Sequence, residues 1–264
     1  MAYGNFPSVP ILDTSILQTR NHCCALGLMA KAPLAGAVKT RLVPLLTPEE
    51  AASLHSCFLR DMSANIAEVV ARNSAEGVIV YTPLGAEAAF DGILPLGFKL
   101  LGQRGESLGD RLCNATEDLL GQGYGSLCLV NSDSPTLPGK MFDLAIESLS
   151  HDGDRVVLGA AADGGYYLIG LKNVHSRLFD RIAWSTAEVL AHTVERAAEI
   201  GLEVELLPPW YDVDDGATLN QLCEELFLSR RRDGNYPAPH TRQYLATLIE
   251  SQCIFPELAG HTTI

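Results

Sequence analysis

The chain has 264 residues, of which 47% are hydrophobic and 19% charged, a composition typical of a globular protein rather than a disordered or fibrous one. Acidic residues outnumber basic ones by 32 to 19, and the formal net charge of −13 argues against a nucleic acid polymer as a partner. No segment reaches the ~20 consecutive apolar residues of a membrane span, and the N-terminus lacks the pattern of a signal peptide. We therefore expect a cytoplasmic protein that does not bind membranes.

Short apolar segments with the length and composition of β-strands alternate with segments of helical periodicity. The predicted strands are Cys23–Ala30, Gly77–Tyr81, Phe98–Leu101, Ser126–Asn131, Arg155–Ala160, Tyr166–Leu171 and Glu203–Leu207. The predicted helices cover about 48–71, 107–120, 138–149, 186–200 and 217–226. This alternation predicts a three-layer α/β/α fold around a mainly parallel mixed sheet of about seven strands.

The same pattern predicts how the chain is divided. Residues 1–22 mix Pro, Gly, Asn and Thr without periodicity and are expected to form an N-terminal arm. No repeat or low-complexity linker interrupts 23–226, so we expect one domain there. Residues 227–264 form a C-terminal extension with one predicted helix, Pro239–Ser251, which is expected either to cap the sheet or to contact the second subunit of a homodimer.

In open α/β sheets, ligands bind in the loops at the carboxyl ends of the strands. The loop after the first predicted strand runs from Lys31 to Arg41, where Pro33 and Gly36 indicate a turn and Lys39 adds a further cation. Backbone N–H groups and cations in such a turn suit a polyphosphate, although a solvated basic loop explains the pattern as well. The loop does not have the Walker A spacing.

Acidic residues follow two other predicted strands. Asp133 directly follows the fourth strand, where a carboxylate is well placed for Mg²⁺ but equally suits a turn before proline. Asp212 and Asp214 follow the seventh strand at alternate positions and are candidates to share a metal, while Asp215 is a natural helix N-cap. These positions predict a divalent cation site.

Two more strand-end segments hold polar residues or glycine pairs. Gln103 and Arg104 precede a predicted helix, so Gln103 is a candidate to contact the base or ribose, whereas Arg104 suits an anion or a surface ion pair. Asp163, Gly164 and Gly165 precede a strand, where paired glycines either let a ligand approach the backbone or form a tight turn.

Taken together, these motifs resemble a bacterial family of transferases in the nucleotide-diphospho-sugar transferase superfamily, which has the GT-A type fold. They are similar, more distantly, to the 2-phospho-lactate and molybdenum-cofactor guanylyltransferases. The resemblance spans about 25–222. The matching motifs are Ala30-Lys31-Ala32-Pro33, Val38-Lys39-Thr40-Arg41-Leu42, Gln103-Arg104-Gly105, Ser132-Asp133-Ser134-Pro135, Asp163-Gly164-Gly165-Tyr166-Tyr167, Trp184-Ser185-Thr186 and Asp212-Val213-Asp214.

The resemblance implies a set of site residues. It implies that Lys39, Arg41 and Asp133 take part in catalysis, and that Mg²⁺ or Mn²⁺ is bound by Asp133 with an acid of the Asp212/Asp214 pair. The implied nucleotide contacts are Ala30, Lys31, Pro33, Gly36, Lys39, Arg41, Gln103, Arg104 and Asp133. The implied acceptor contacts are Asp163, Gly164, Gly165 and Tyr166.

Three functions follow as hypotheses. In the first, a phosphorylated small molecule attacks the α-phosphate of an NTP and pyrophosphate leaves; a single Asp133 between Ser132 and Ser134, rather than an Asp-x-Asp motif, favours this nucleotidyl transfer. The second is glycosyl transfer from a nucleotide-diphospho-sugar. The third is nucleotide binding without catalysis, because Ala162 stands where the family commonly has an acid or Thr.

Overall fold

The computed structural model describes residues 9–13, 20–43, 45–228 and 234–252. Its strands form one sheet in the order β3-β2-β1-β4-β6-β5-β7. They are β1 (Arg20–Lys31), β2 (Ala75–Thr82), β3 (Lys99–Gly102), β4 (Tyr124–Asn131), β5 (Arg155–Ala161), β6 (Tyr166–Leu171) and β7 (Glu203–Trp210). Only β6 runs antiparallel to its neighbours. The predicted α/β fold with a mainly parallel mixed sheet is confirmed.

The described ranges contain six α-helices, of which α1 to α4 contribute to the clusters that pack on the sheet. They are α1 (Pro48–Val70), α2 (Leu108–Gly121), α3 (Gly139–Ser150), α4 (Val189–Glu199), α5 (Gly216–Phe227) and α6 (Pro239–Gln252). Local sequence explains where α1 begins, because the Thr47 side chain accepts from the Glu50 N–H and the Glu50 carboxylate accepts from the Thr47 N–H. None of the described helices is long and apolar enough to cross a membrane.

Helix α4 begins later than its sequence predicts. The segment from Ser185 to Glu188 resembles the capping sequence of α1, but the helix begins at Val189. Ser185 has a φ of 64°, which is left-handed and incompatible with a helical first turn. The Thr186 hydroxyl donates to the Ala183 carbonyl at 2.7 Å, so this segment forms a turn before the helix.

Apolar residues fill both faces of the sheet. On one face, Leu26 and Leu28 of β1 belong to a buried cluster with Ile66 of α1 and Phe142 of α3. On the other face, a second cluster packs β-strand residues against the helices α2 and α4. Burial on both faces explains why the central strands are continuous apolar runs rather than alternating ones.

Part of the predicted N-terminal arm belongs to the sheet. Ile11 forms a parallel bridge with Leu100 at the edge strand β3, and the Leu12 N–H donates to the Leu100 carbonyl at 2.7 Å. Leu12 is buried in the second apolar cluster. The segment 9–13 thus satisfies backbone groups that an edge strand otherwise leaves unpaired. The remainder of the predicted arm before Arg20 lies outside the described residues.

The helix predicted in the C-terminal extension is present as α6 and packs on α1. Asp61 of α1 is fully buried and accepts hydrogen bonds from the N–H groups of His240 at 3.1 Å and Thr241 at 2.8 Å. A carboxylate from another helix therefore caps the first turn of α6. Residues 229–233 and 253–264 lie outside the described part of the chain.

Candidate active site

Loops from six strand ends converge at one edge of the sheet. They follow β1, β2, β3, β4, β5 and β7, whose carboxyl ends point the same way. The Val213 N–H donates to the Asp133 carbonyl at 2.9 Å, which joins the loop after β7 to the loop after β4. Two adjoining cavities open between these loops.

The first, which we call the basic cavity, has a volume of about 400 Å³. Its charged lining consists of four cationic side chains and two acidic ones. The lining residues that bear on function are Ala30, Lys31, Lys39, Arg41, His55, Gln103, Arg111, Asn131, Asp133 and Asp214. A protein with a large net negative charge thus concentrates several of its scarce cations around one cavity, which favours an anionic ligand.

The second, which we call the acidic cavity, has a volume of about 480 Å³. Four carboxylates line it, while Arg41 is its only cationic lining residue among those described. The lining residues that bear on function are Arg41, Asn131, Asp133, Asp163, Gly165, Tyr166, Trp184, Thr186, Asp212 and Asp214. The two cavities share Arg41, Asp133 and Asp214, so their ligands would meet at this border.

Lys39 bonds to both of the acids at the border between the two cavities. Its Nζ lies 2.6 Å from Asp133 Oδ1, 3.2 Å from Asp214 Oδ1 and 2.7 Å from the Val213 carbonyl oxygen. The side chain is only 5% exposed, and these three acceptors account for its three hydrogens. In this arrangement Lys39 positions the two acids, whereas the sequence suggested a direct role in holding phosphate.

The two acids at the centre of the site have different electrostatic environments. Burial opposes ionisation of Asp133, but the Lys39 ammonium and then His55 outweigh it and hold the pKa of Asp133 below its usual value. Burial raises the pKa of Asp212 to about 6, although Ser134 and Asn131 each donate to its Oδ1 at 2.7 Å. The Asp133 and Asp163 charges contribute to this increase after burial.

The donor set around the border suits a hard cation with few protein ligands. Asp133, Asp212 and Asp214 all line the acidic cavity, and their crowding leaves the local charge strongly negative. Within the described residues, however, no group of three His, Cys, Asp or Glu side chains is close enough to hold a metal by itself. Mg²⁺ is usually bound by one or two carboxylates together with phosphate oxygens and water, and the residues present fit that mode.

The cationic residues of the basic cavity differ in how tightly they are held. Arg41 is 68% exposed and pairs with Asp215 at 3.2 Å, so it can reorient toward a ligand. Arg111 donates from Nε to the Gly105 carbonyl at 3.2 Å. Gln103 donates from Nε2 to the Val80 carbonyl at 2.7 Å, which fixes its carboxamide against β2.

Some residues of the predicted set lie outside both cavity linings. Arg104 makes a two-point ion pair with Asp118 of α2, with the shorter contact at 2.6 Å. Pro33 and Gly36 belong to the turn after β1 but do not line the basic cavity. Gly164 has a φ of 91°, and a Cβ built there would lie 2.2 Å from the Ala187 carbonyl oxygen. The close approach at Gly164 is therefore to the chain itself.

His55 is the residue that sequence reasoning missed. His55 is not among the predicted site residues, but its ring lies at the wall of the basic cavity, 3% exposed. Its Nδ1 lies 4.0 Å from Asp133 Oδ1. The sequence contains one indication of this, because His55 lies on the buried face of α1 with Leu54 and Phe58, where an apolar residue is expected.

Trp184 is a second such residue. The sequence motif that contains it contributed to the resemblance, but no role was assigned to it. In the structure Trp184 lines the acidic cavity together with Tyr166, and both rings present apolar surface beside the carboxylates. Such a mixture of aromatic surface and carboxylates suits ligands with hydroxyl groups on an apolar frame.

Comparison with known proteins identifies the family and the fold. A family model described as "Uncharacterized protein conserved in bacteria (DUF2064)" matches residues 65–186. A crystal structure from Desulfovibrio desulfuricans G20, provisionally named a nucleotide-diphospho-sugar transferase, is 32% identical with a TM-score of 0.71. The alignment covers 86% of this chain and 99% of that one.

A more distant structure supports the fold alone. CMP:2-keto-3-deoxy-manno-octonic acid synthetase, solved with CTP, is 14% identical with a TM-score of 0.50, and the alignment covers 75% of this chain and 96% of that one. No functionally curated protein matches the sequence. The identity and coverage shared with the Desulfovibrio protein place this chain in the same family, a bacterial family of the nucleotide-diphospho-sugar transferase superfamily.

Proposed function

We propose that this protein is a transferase that uses a nucleotide, with the nucleotide phosphates in the basic cavity and the acceptor in the acidic cavity. One observation carries the proposal: two adjoining cavities of opposite charge share a border at Arg41, Asp133 and Asp214. A group bound to phosphate in one cavity would meet an acceptor bound in the other. Holding two reactants in this way supplies much of the catalysis in a transfer reaction.

A divalent cation, Mg²⁺ or Mn²⁺, belongs to this proposal. Asp133 would hold it together with Asp212 or Asp214, since all three line the acidic cavity and Asp133 also reaches the basic one. When bound, such a cation neutralises charge on the phosphates. Lys39 would keep Asp133 ionised and oriented, and Arg41 would contact phosphate oxygens at the border.

Two reactions are consistent with this arrangement. In nucleotidyl transfer, a phosphate oxygen of the acceptor bonds to the α-phosphorus of an NTP, and the bond to pyrophosphate breaks. In glycosyl transfer, an acceptor hydroxyl bonds to the anomeric carbon of a nucleotide-diphospho-sugar. The bond between that carbon and the nucleoside diphosphate breaks, and the hydroxyl proton passes to solvent. The single Asp133 in the loop after β4 supports the first reaction.

The lining of the acidic cavity supports glycosyl transfer, and we rank this reaction above nucleotidyl transfer. A phosphorylated acceptor there would face Asp163 and Asp212 with Arg41 as the only cationic lining residue among those described. Negative charges that share one cavity repel each other, whereas carboxylates readily accept hydrogen bonds from hydroxyl groups. Trp184 adds an apolar wall that suits a sugar-like or other hydroxyl-bearing acceptor.

Product analysis distinguishes the reactions. The protein is incubated in Mg²⁺ with UDP- and GDP-sugars and a panel of hydroxyl-bearing acceptors, and separately with each NTP and a panel of phosphorylated acceptors. Release of nucleoside diphosphate with formation of a glycoside supports glycosyl transfer. Release of pyrophosphate with a nucleotidylated product supports nucleotidyl transfer instead. Nucleotide binding without either product would leave a non-catalytic binding protein.

The metal is tested with an isosteric variant. Asp133→Asn is expected to weaken nucleotide binding in Mg²⁺ but to leave the weaker binding in EDTA unchanged, as measured by calorimetry. Asp152→Asn is the control, because Asp152 is an exposed aspartate that lines neither cavity. Equal affinities of Asp133→Asn and the unmodified protein in Mg²⁺ would argue against Asp133 as the metal ligand.

A further inference from the structure

The C-terminal extension contacts the loop that carries Asp133. In the extension, the Tyr236 N–H donates to the carbonyl oxygen of Thr136 at 3.2 Å. Thr136 follows Asp133 in the same loop, and both Thr136 and Tyr236 are buried. Helix α6, which comes next in the chain, is capped by Asp61 of α1. A segment that is fixed to the body of the protein therefore supports this loop.

A hydrogen-bonded network of side chains makes a second connection between the loop and the extension. The Tyr211 hydroxyl donates to Glu225 Oε2 at 2.5 Å and lies 3.4 Å from Thr136 Oγ1. Because the tyrosine hydroxyl has one hydrogen, Thr136 is the donor in that contact. Asn235 of the extension donates from Nδ2 to the other carboxylate oxygen of Glu225 at 2.7 Å. Glu225 of α5 thus links the extension to Tyr211.

Tyr211 lies where the two acid-bearing loops meet. It directly precedes Asp212 in the loop after β7. The Ser134 hydroxyl lies 3.0 Å from the Tyr211 carbonyl oxygen and 2.7 Å from Asp212 Oδ1, so its hydrogen is shared between two acceptors of that loop. The Val213 N–H donates to the Asp133 carbonyl at 2.9 Å. The position of one acid relative to the other therefore depends on the contacts around Tyr211.

These contacts give the extension a role in the candidate site. A cation shared by carboxylates from two loops requires a fixed separation of those loops, which outer contacts must maintain. We propose that the C-terminal extension is part of this site and that Tyr211 and Glu225 are positioning residues for the two acid-bearing loops. Neither residue lines the basic or the acidic cavity, so both act through other residues. This inference rests on the proposed function insofar as the acids bind a divalent cation.

Amide hydrogen exchange measures the pairing of the loops without any ligand. Tyr211→Phe removes only the hydroxyl and is expected to speed exchange of the Val213 amide, which is bonded to the Asp133 carbonyl, about fivefold. Tyr124→Phe is the matched control, because Tyr124 is also buried and donates to the Glu76 carboxylate at 2.8 Å, but at the opposite end of β4. It is expected to leave exchange at Val213 unchanged.

Manganese titration followed by electron paramagnetic resonance measures the consequence for the site. Tyr211→Phe is expected to weaken the affinity for Mn²⁺ about fivefold, because the carboxylates of the two loops no longer keep their separation. Tyr124→Phe is expected to bind Mn²⁺ as the unmodified protein does. Thermal unfolding of both variants shows that each is folded and that a general loss of stability does not explain the difference.

A second pair of variants tests the extension itself. Asn235→Ala removes the bond to Glu225 and alters neither acid-bearing loop directly. It is expected to change exchange at Val213 and Mn²⁺ affinity in the same direction as Tyr211→Phe, by about twofold to threefold. Asn220→Ala is the control, because Asn220 donates to Glu224 on the same helix at 2.8 Å but does not connect to the extension.

The outcomes separate this inference from the proposed function. Unchanged exchange at Val213 in Tyr211→Phe, or an equal increase in Tyr124→Phe, would overturn the positioning role. Faster exchange with unchanged Mn²⁺ affinity would overturn the link to the metal, and no effect of Asn235→Ala would overturn the part of the extension. If the unmodified protein does not bind Mn²⁺, the metal site of the proposed function fails, while hydrogen exchange still decides whether the extension holds the loops together.

Discussion

The two cavities differ in charge although they share a border. The basic cavity obtains its cations from the end of β1, the loop after it and Arg111 of α2. The acidic cavity obtains its carboxylates from the β5–β6 turn and from the loops after β4 and β7. Lys39 contributes to the first and is bonded to acids that also line the second. Under the proposed function, this difference in charge would separate the phosphates from the acceptor, and the two ligands would meet at the border.

The largest effect is expected from removing the charge at the border. Lys39→Met keeps an aliphatic chain over the Phe58 ring but leaves Asp133 and Asp214 facing each other without a counter-charge. We expect kcat/KM for the reaction found by product analysis to fall about 10³-fold, since preorganised charge is commonly the largest catalytic contribution. Lys140→Met is the matched control, because Lys140 is exposed on α3 and lines neither cavity. Equal, small losses in both variants would contradict a role for Lys39 in the site.

A smaller effect is expected from the backbone of the β5–β6 turn, next to the acidic cavity. Gly164→Ala forces a left-handed φ on alanine and sets its Cβ against the Ala187 carbonyl, so the free energy of unfolding should fall by about 3 kcal/mol. Gly36→Ala also has a left-handed φ but meets no atom within 4 Å, so it should cost only about 1–2 kcal/mol. Denaturant titration measures both, and equal losses would contradict the close approach at Gly164.

A crossed pair of variants tests whether each cavity has its own ligand. Asp163 lines only the acidic cavity, and Arg111 lines only the basic one. Asp163→Asn is expected to raise KM for the acceptor about tenfold and to leave KM for the nucleotide unchanged, while Arg111→Ala is expected to do the reverse. If both variants change the same KM, the assignment of ligands to cavities is wrong.

The smallest effect is expected at Arg104. Because its guanidinium pairs with Asp118 and it lines neither cavity, Arg104→Ala should leave nucleotide affinity unchanged. The free energy of unfolding should fall by no more than about 1 kcal/mol, as is usual for exposed ion pairs. Calorimetry and denaturant titration check the two statements. A clear loss of nucleotide affinity would show that Arg104 contributes to nucleotide binding.

Local sequence determined the elements of this protein and the edge where its candidate site lies. Strand Tyr166–Leu171 was predicted with the observed bounds, and the Thr47 capping sequence marked the observed start of α1. These features depend on residues within a few positions of one another. The loops that follow parallel strands must also meet at one edge, so sequence placed Lys39 and Asp133 on the same side of the sheet.

Only the tertiary structure decided how those loops pair. The Lys39 ammonium bonds to Asp214, 175 positions along the chain, and no local pattern reveals which acid will come within 3.2 Å. Arg104 pairs with Asp118 of α2, and His55 of α1 lies against the end of β1. Local periodicity predicts which face of a helix is buried, but not which atoms of another element meet it. Sequence therefore predicted the edge that holds the candidate site, while packing divided that edge into two cavities of opposite charge.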